Sequence, residues 1–158
     1  MKIKEFHFTP ENHFVAMEYH WLILNRTFLI LITDTKLIGI KVHGLIGAKS
    51  SDPTIDLLPL AIDGDLQNPY SYMDMKYIER LKDVDLLSDS FLRTNNANFI
   101  INRRDITKAD HDATKKWGMG YYSHDGKVYV TTRDNARREF IILGSQSGQQ
   151  IARNLRLK

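Results

Sequence analysis

The stretch Ser123-His-Asp-Gly-Lys-Val-Tyr-Val-Thr-Thr-Arg-Asp-Asn-Ala-Arg-Arg-Glu-Phe-Ile-Ile-Leu-Gly-Ser-Gln-Ser-Gly-Gln-Gln-Ile-Ala-Arg-Asn-Leu-Arg-Leu-Lys158 decides the fold. Within it, Lys127-Val128-Tyr129-Val130-Thr131-Thr132 is β-branched and aromatic, Asp125-Gly126 before it is a turn pair, and Phe140-Ile141-Ile142-Leu143 supplies a further strand. Gly144 breaks the pattern. Ser147 and Gln150 then stand at capping-box spacing, and Ile151, Leu155 and Leu157 share most of one helical face. The segment predicts a sheet closed by a last strand, with an amphipathic helix laid on it.

Upstream, Met17-Glu18-Tyr19-His20-Trp21 alternates apolar and polar, the period of a half-buried strand, which is expected to end near Leu24. A helix starting at Thr9-Pro10-Glu11 fits less well, because Asn12, His13, Glu18, His20 and Asn25 would scatter around its wheel. Two apolar runs of strand length, Phe28 to Thr33 and Lys36 to Val42, meet across Asp34-Thr35 and predict a hairpin. So apolar and β-prone a pair belongs in the middle of a sheet, away from an exposed edge. His43-Gly44 and Gly47 are expected to end its second strand.

The stretch from Ala48 to Asn68 keeps no period and reads as a long excursion. From Pro69 to Lys82 a helix is predicted, with Asn68 as its cap, Pro69 at its first position and Met73, Tyr77 and Leu81 every fourth residue. A further helical turn around Leu86, Leu87, Phe91 and Leu92 should stop at Asn95-Asn96. Asn98 to Asn102 reads as a strand, and Arg103-Arg104-Asp105-Ile106 continues it or turns out of it. Lys115 to Tyr122 is expected to pair with Lys127 to Thr132 across Asp125-Gly126, and Arg137-Arg138 to lie in a polar connection before Phe140.

A length of 158 residues fits one domain able to bury about two thirds of its unfolded surface. The absence of cysteine excludes disulfides, thiolate zinc sites, iron–sulfur clusters and cysteine nucleophiles, and fits a reducing cytoplasm. No secretory signal is read in the first seven residues, and the greasiest region, Trp21 to Ile32, is broken by Asn25-Arg26-Thr27 and falls short of the roughly 20 apolar residues of a membrane helix. A cytoplasmic location is expected. Net charge is +3, with ten basic against thirteen acidic residues up to position 100 and twelve against six beyond it. Such asymmetry suits an anionic partner but is also common in ordinary globular domains.

The run Phe28-Leu-Ile-Leu-Ile-Thr-Asp-Thr-Lys-Leu-Ile-Gly-Ile-Lys-Val-His-Gly44 resembles bacterial pleckstrin-homology-like domains, where a strand ending in Thr-Asp leads through a basic residue and Leu-Ile to the next strand. Asn98 to Ile106, the closing strand Phe140 to Leu143 and the helix after Gly144 are similar too. The resemblance implies an α+β, β-rich domain over residues 1–158: a pleckstrin-homology-like antiparallel barrel or sandwich with a helical insertion at about 48–95 and a C-terminal helix. The lipid-binding branch of that superfamily carries several basic residues in its first inter-strand loop. Here the candidate loop, Asn25-Arg26-Thr27, holds one, so the implied role is a scaffold for protein or peptide contacts.

Motif readings yield no catalytic group. The six histidines show no metal-ligand spacing, and no metal or cofactor is expected. Gly144-Ser145-Gln146-Ser147-Gly148 has glutamine where a nucleophile elbow needs serine, and reads as a helix cap. The aspartates of the insertion select no catalytic or calcium-binding pair, and read as solvated surface. Basic residues interleaved with aromatics are the best binding signal: Arg103, Arg104, Lys115, Lys116, Trp117, Tyr121, Tyr122, Arg133, Arg137 and Arg138. Strand alternation would send half of them to the other face. The expected function is a non-catalytic binding or interaction module with a protein partner or self-association. The alternative is a small-ligand-binding protein or small enzyme with a pocket between barrel and insertion. The third reading is an anionic partner, nucleic acid or membrane lipid, bound by the basic C-terminal part.

Overall fold

The computed structural model describes residues 1–21, 24–47, 65–117, 119 and 122–156. Seven antiparallel strands form one sheet: β1 (His13–Trp21), β2 (Leu24–Ile32), β3 (Lys36–Gly47), β4 (Phe99–Asn102), β5 (Ile106–Asp112), β6 (His124–Thr132) and β7 (Arg137–Leu143), in the order β4-β3-β2-β1-β7-β6-β5. β4 and β5 are opposite edges of the sheet, yet only the 3-10 turn Arg103–Asp105 joins them. Three residues cannot cross a flat seven-stranded sheet, so the sheet curls into a half-barrel that brings its edges together at that end. Phe99 of β4 accordingly stacks across the concave side on Phe140 of β7, with ring centroids 6.1 Å apart. The fold is α+β and β-rich, with a C-terminal helix, as expected.

The predicted β2–β3 hairpin forms. Ile32 pairs with Leu37 across Asp34-Thr35, and both strands lie inside the sheet. Their continuous apolar runs have a simple cause, since both faces are covered. Phe14, Ala16, Phe28, Ile30, Phe140 and Ile142 point into the concave core. That core is closed by Ile151, Ala152 and Leu155 of α3 (Gly148–Arg156). The alternate residues Val15, Met17, Leu29, Leu31, Ile141 and Leu143 face outward, under Ile3 of the N-terminal segment and Tyr72, Leu81, Leu86 and Phe91 of the insertion. Gly39 pairs with Phe99, and its missing side chain leaves the space the Phe99 ring occupies, since a Cβ there would lie 2.0 Å from that ring.

Several local expectations are corrected. Asn25-Arg26-Thr27 lie inside β2, not in a loop, and β3 runs on through His43 and Gly44 to Gly47, accommodated by irregular register opposite Thr27. Asp125-Gly126 is a bulge inside β6, where the register slips between His124 and Lys127. Gly126 has φ +67°, and a Cβ there would meet the Asp112 carbonyl oxygen at 2.1 Å. β6 pairs with β5 and β7, and the described residues between 113 and 123 form no strand. The β6–β7 turn lies instead at Arg133 to Ala136, with Asn135 at φ 63°, which puts Arg137 and Arg138 inside β7.

The helix expected over Pro69 to Lys82 divides. Asn68 caps the 3-10 turn Pro69–Tyr72, its side chain accepting from Tyr70 N at 3.0 Å. The Asp74 backbone N–H is then taken by the Val42 carbonyl of β3 at 2.7 Å, and the Asp74 carboxylate recaps α1 (Met75–Glu79). Docking on the sheet outcompetes helix continuity. α2 (Asp89–Thr94) follows and the chain leaves it at Asn95, as predicted. The excursion from Ala48 lies outside the described residues up to position 64. At α3, Gln150 N donates to Ser147 Oγ at 3.2 Å, but the Gln150 amide donates forward to Asn154, and Asp125 takes the Gly148 N–H at 2.7 Å.

Candidate functional site

Most of the basic and aromatic residues singled out in the sequence already have partners within the fold. The Arg103 guanidinium donates to the carbonyls of Thr33 and Asn154 at 3.2 and 2.9 Å, tying the edge turn to β2 and α3. Arg104 is exposed, and its carbonyl accepts from the Arg133 guanidinium at 3.1 Å. Lys115 donates to the His124 carbonyl, and Lys116 pairs with Glu139 at 2.5 Å with its ammonium over the Tyr19 ring. Arg137 and Arg138, adjacent in β7, project to opposite faces: Arg137 stacks 3.8 Å over Tyr129, whereas Arg138 turns inward over Phe99 at 3.7 Å. Arg138 also donates to both carboxylate oxygens of Glu18 at 2.9 Å. Trp117 is 89% exposed, Tyr122 packs edge-on against Tyr72, and Tyr121 lies outside the described residues. Arg103, Arg104 and Arg133 come together at the edge turns, while Arg138 is drawn into the concave side.

A different place on the molecule forms an open, mostly apolar cavity. Where the N-terminal segment, the insertion and the start of α3 meet over the outer face of β1 and β2, they leave a cavity of about 990 Å³. Leu29 and Ile151 lie in its wall together with Ile3 and Phe8 on one side and Met73, Met75 and Ile78 on the other. α1 is one short turn docked on β3 through the Asp74–Val42 bond, and Met73, Met75 and Ile78 border the space that remains between it, the N-terminal segment and β2. Gln146 frames the opening by extending β1 as a false strand. Its Oε1 accepts from Val15 N at 2.8 Å, and its Nε2 donates to the carbonyls of Val15 and Leu143 at 2.7 Å.

One polar pair faces this space. His13 at the start of β1 has Nδ1 2.7 Å from the Thr9 carbonyl and Nε2 2.5 Å from the Tyr70 hydroxyl. A carbonyl only accepts, so Nδ1 carries the proton, and Nε2 of the neutral ring accepts from Tyr70. Burial lowers the His13 pKa against the opposing effect of the Thr9 bond, and burial likewise raises that of the Tyr70 hydroxyl. The neutral pair is therefore the resting state at pH 7. Phe8 meets the His13 ring edge-on at 5.0 Å, and Tyr70 stacks on it at 5.8 Å. Neither His13 nor Tyr70 was marked by motif or spacing. They stand 57 positions apart and meet only because the insertion folds back onto β1.

Among the described residues, no three His, Asp or Glu side chains come together as a metal site would need, and no helix is long and apolar enough to cross a membrane. No protein-family model, curated protein or solved structure matches this chain.

Proposed function

We propose that the chain is a non-catalytic binding module on a pleckstrin-homology-like half-barrel, and that it binds in the cavity between the sheet and the insertion. The cavity carries the reading: at about 990 Å³ it stands at the upper end of the roughly 300–1,000 Å³ of ligand sites, with mostly apolar walls and few polar groups. Two antiparallel meanders joined through the β1–β7 pairing, with the helix α3 in the concave side, support the pleckstrin-homology-like fold. Binding is favoured over catalysis because the walls are mostly apolar and the His13–Tyr70 pair spends its hydrogen bonds on each other and on the Thr9 carbonyl. The neutral fluorophore N-phenyl-1-naphthylamine should bind with one-to-one stoichiometry and a blue-shifted emission, and Ile78→Trp, which narrows the cavity, should weaken this several-fold. Fluorescence unchanged by protein, or equal in the variant, contradicts the reading.

A second reading, docking of a protein partner, is favoured by one observation. Trp117 is 89% exposed beside the Lys116–Tyr19 contact, and exposed tryptophans are common interface anchors. Its test is whether Trp117→Ala abolishes a concentration-dependent rise in mass on sedimentation.

A further inference from the structure

Resting on the cavity as the binding site, we propose that its ligand is a long-chain carboxylate, with the chain along the apolar walls and the carboxylate received by Tyr70 and His13. The walls, among them Ile3, Phe8, Leu29, Met73 and Ile78, suit an aliphatic chain. The charge pattern selects the head group. None of the described residues lining the cavity is Asp or Glu, and Lys4, at its exposed border, is the one lining residue with a fixed charge. An anionic head meets no repulsion there, and a cationic head would meet only Lys4.

The hydrogen-bond inventory narrows the choice further. The Gln146 amide is committed to Val15 and Leu143, whereas the hydroxyls of Ser147 and Tyr70 can both donate, and of these Tyr70 is the one backed by an imidazole, His13, that can take up a proton. A carboxylate only accepts. In the resting pair the Tyr70 proton is given to His13 Nε2, so receiving a carboxylate requires one proton from solvent on Nε2. Nε2–H then donates to the Tyr70 oxygen, and the Tyr70 proton turns to the ligand. The groups facing His13 fit this change: the Thr9 carbonyl keeps its bond to Nδ1, Phe8 presents a ring edge, and Tyr70 changes only the direction of its hydrogen bond. Around the same cavity the Lys4 ammonium lies 3.5 Å from Asp83, while Gln146 and Ser147 are uncharged. A neutral alcohol of the same chain length gains none of this charge complementarity.

The test is displacement of bound N-phenyl-1-naphthylamine at pH 6.5 by laurate and by dodecanol. Laurate should displace the probe at concentrations about tenfold lower than dodecanol, the size of one charge-assisted hydrogen bond. Tyr70→Phe and Lys4→Gln should each bring laurate toward dodecanol when displacement is measured against each variant's own probe affinity, and an unchanged far-UV circular-dichroism spectrum and Tm show the variants folded. Probe bound but displaced equally by laurate and dodecanol overturns the carboxylate and leaves the cavity reading standing. A laurate preference that survives Tyr70→Phe overturns the role of the His13–Tyr70 pair, and absence of probe binding overturns cavity and ligand together.

Discussion

His13 is held, partly buried, between a carbonyl that accepts its one proton and a tyrosine that supplies the other. Its imidazole should therefore titrate below the ordinary value of 6.5 in an NMR titration, and a midpoint at or above 6.5 would contradict the geometry. His124, 4% exposed, is shifted the same way, first by burial and then by the Lys115 cation, with Nδ1 accepting from Gly126 N at 3.2 Å. Both histidines are lowered in the folded state, so the unfolded chain binds more protons below pH 6.5. Stability is thus fully present above that pH and falls as pH drops through the folded-state values. The Tm should decline from pH 7 to pH 5, and His124→Gln should flatten the decline; a profile unaffected by that substitution would remove His124 as a cause. Gly126→Ala forces a side chain to a positive φ against the Asp112 carbonyl and should cost more than about 1 kcal/mol in denaturant unfolding. The two histidines do not announce themselves in sequence, and Gly126 does so only as a turn residue, because a burial or a bulge depends on what the neighbouring strand brings.

At the scale of elements, legibility follows how local the cause is. The β2–β3 hairpin, the β4 strand and α3 were readable because their patterns lie in adjacent residues: two apolar runs across Asp34-Thr35, Phe99 to Ile101 after a polar stop, and Ile151 with Leu155 after Ser147. The helix over Pro69 to Lys82 was misread because its interruption is caused by Val42, far away in β3. The Asp125-Gly126 pair has hairpin-turn chemistry, yet β5 competes successfully for β6 and makes it a bulge. Ile30, fully buried in β2, should not tolerate Asp: Ile30→Asp is expected to cost several kcal/mol, and unchanged thermal stability would show the register to be wrong. Arg138 is a strand residue with a half-buried Glu18 partner, so Arg138→Glu, which also sets two carboxylates together, should lower stability by about 3 kcal/mol, against a near-neutral effect for Arg104→Glu at an exposed turn. Equal effects of the two reversals would contradict the inward placement of Arg138.

At the scale of the molecule, one curled sheet is covered on both faces: α3 fills the concave side, and the N-terminal segment and insertion cover the convex side incompletely. The β-rich class and the terminal helix could be read in advance, since they are sums of local patterns. A pocket between sheet and insertion was an alternative expectation, but its lining could not be read, because Ile3, Leu29, Tyr70, Ile78 and Ile151 converge on it from five separate stretches. The basic residues, the strongest binding signal in the sequence, are mostly spent on internal ties away from it. The central claim is that this cavity is where the protein binds. A methyl NMR titration with N-phenyl-1-naphthylamine tests it most directly. The account predicts shifts concentrated on the methyl groups of Ile3, Leu29, Ile78 and Ile151, with Ile30 and Ile142 of the concave core unmoved; shifts centred elsewhere, or none at saturating probe, would contradict it.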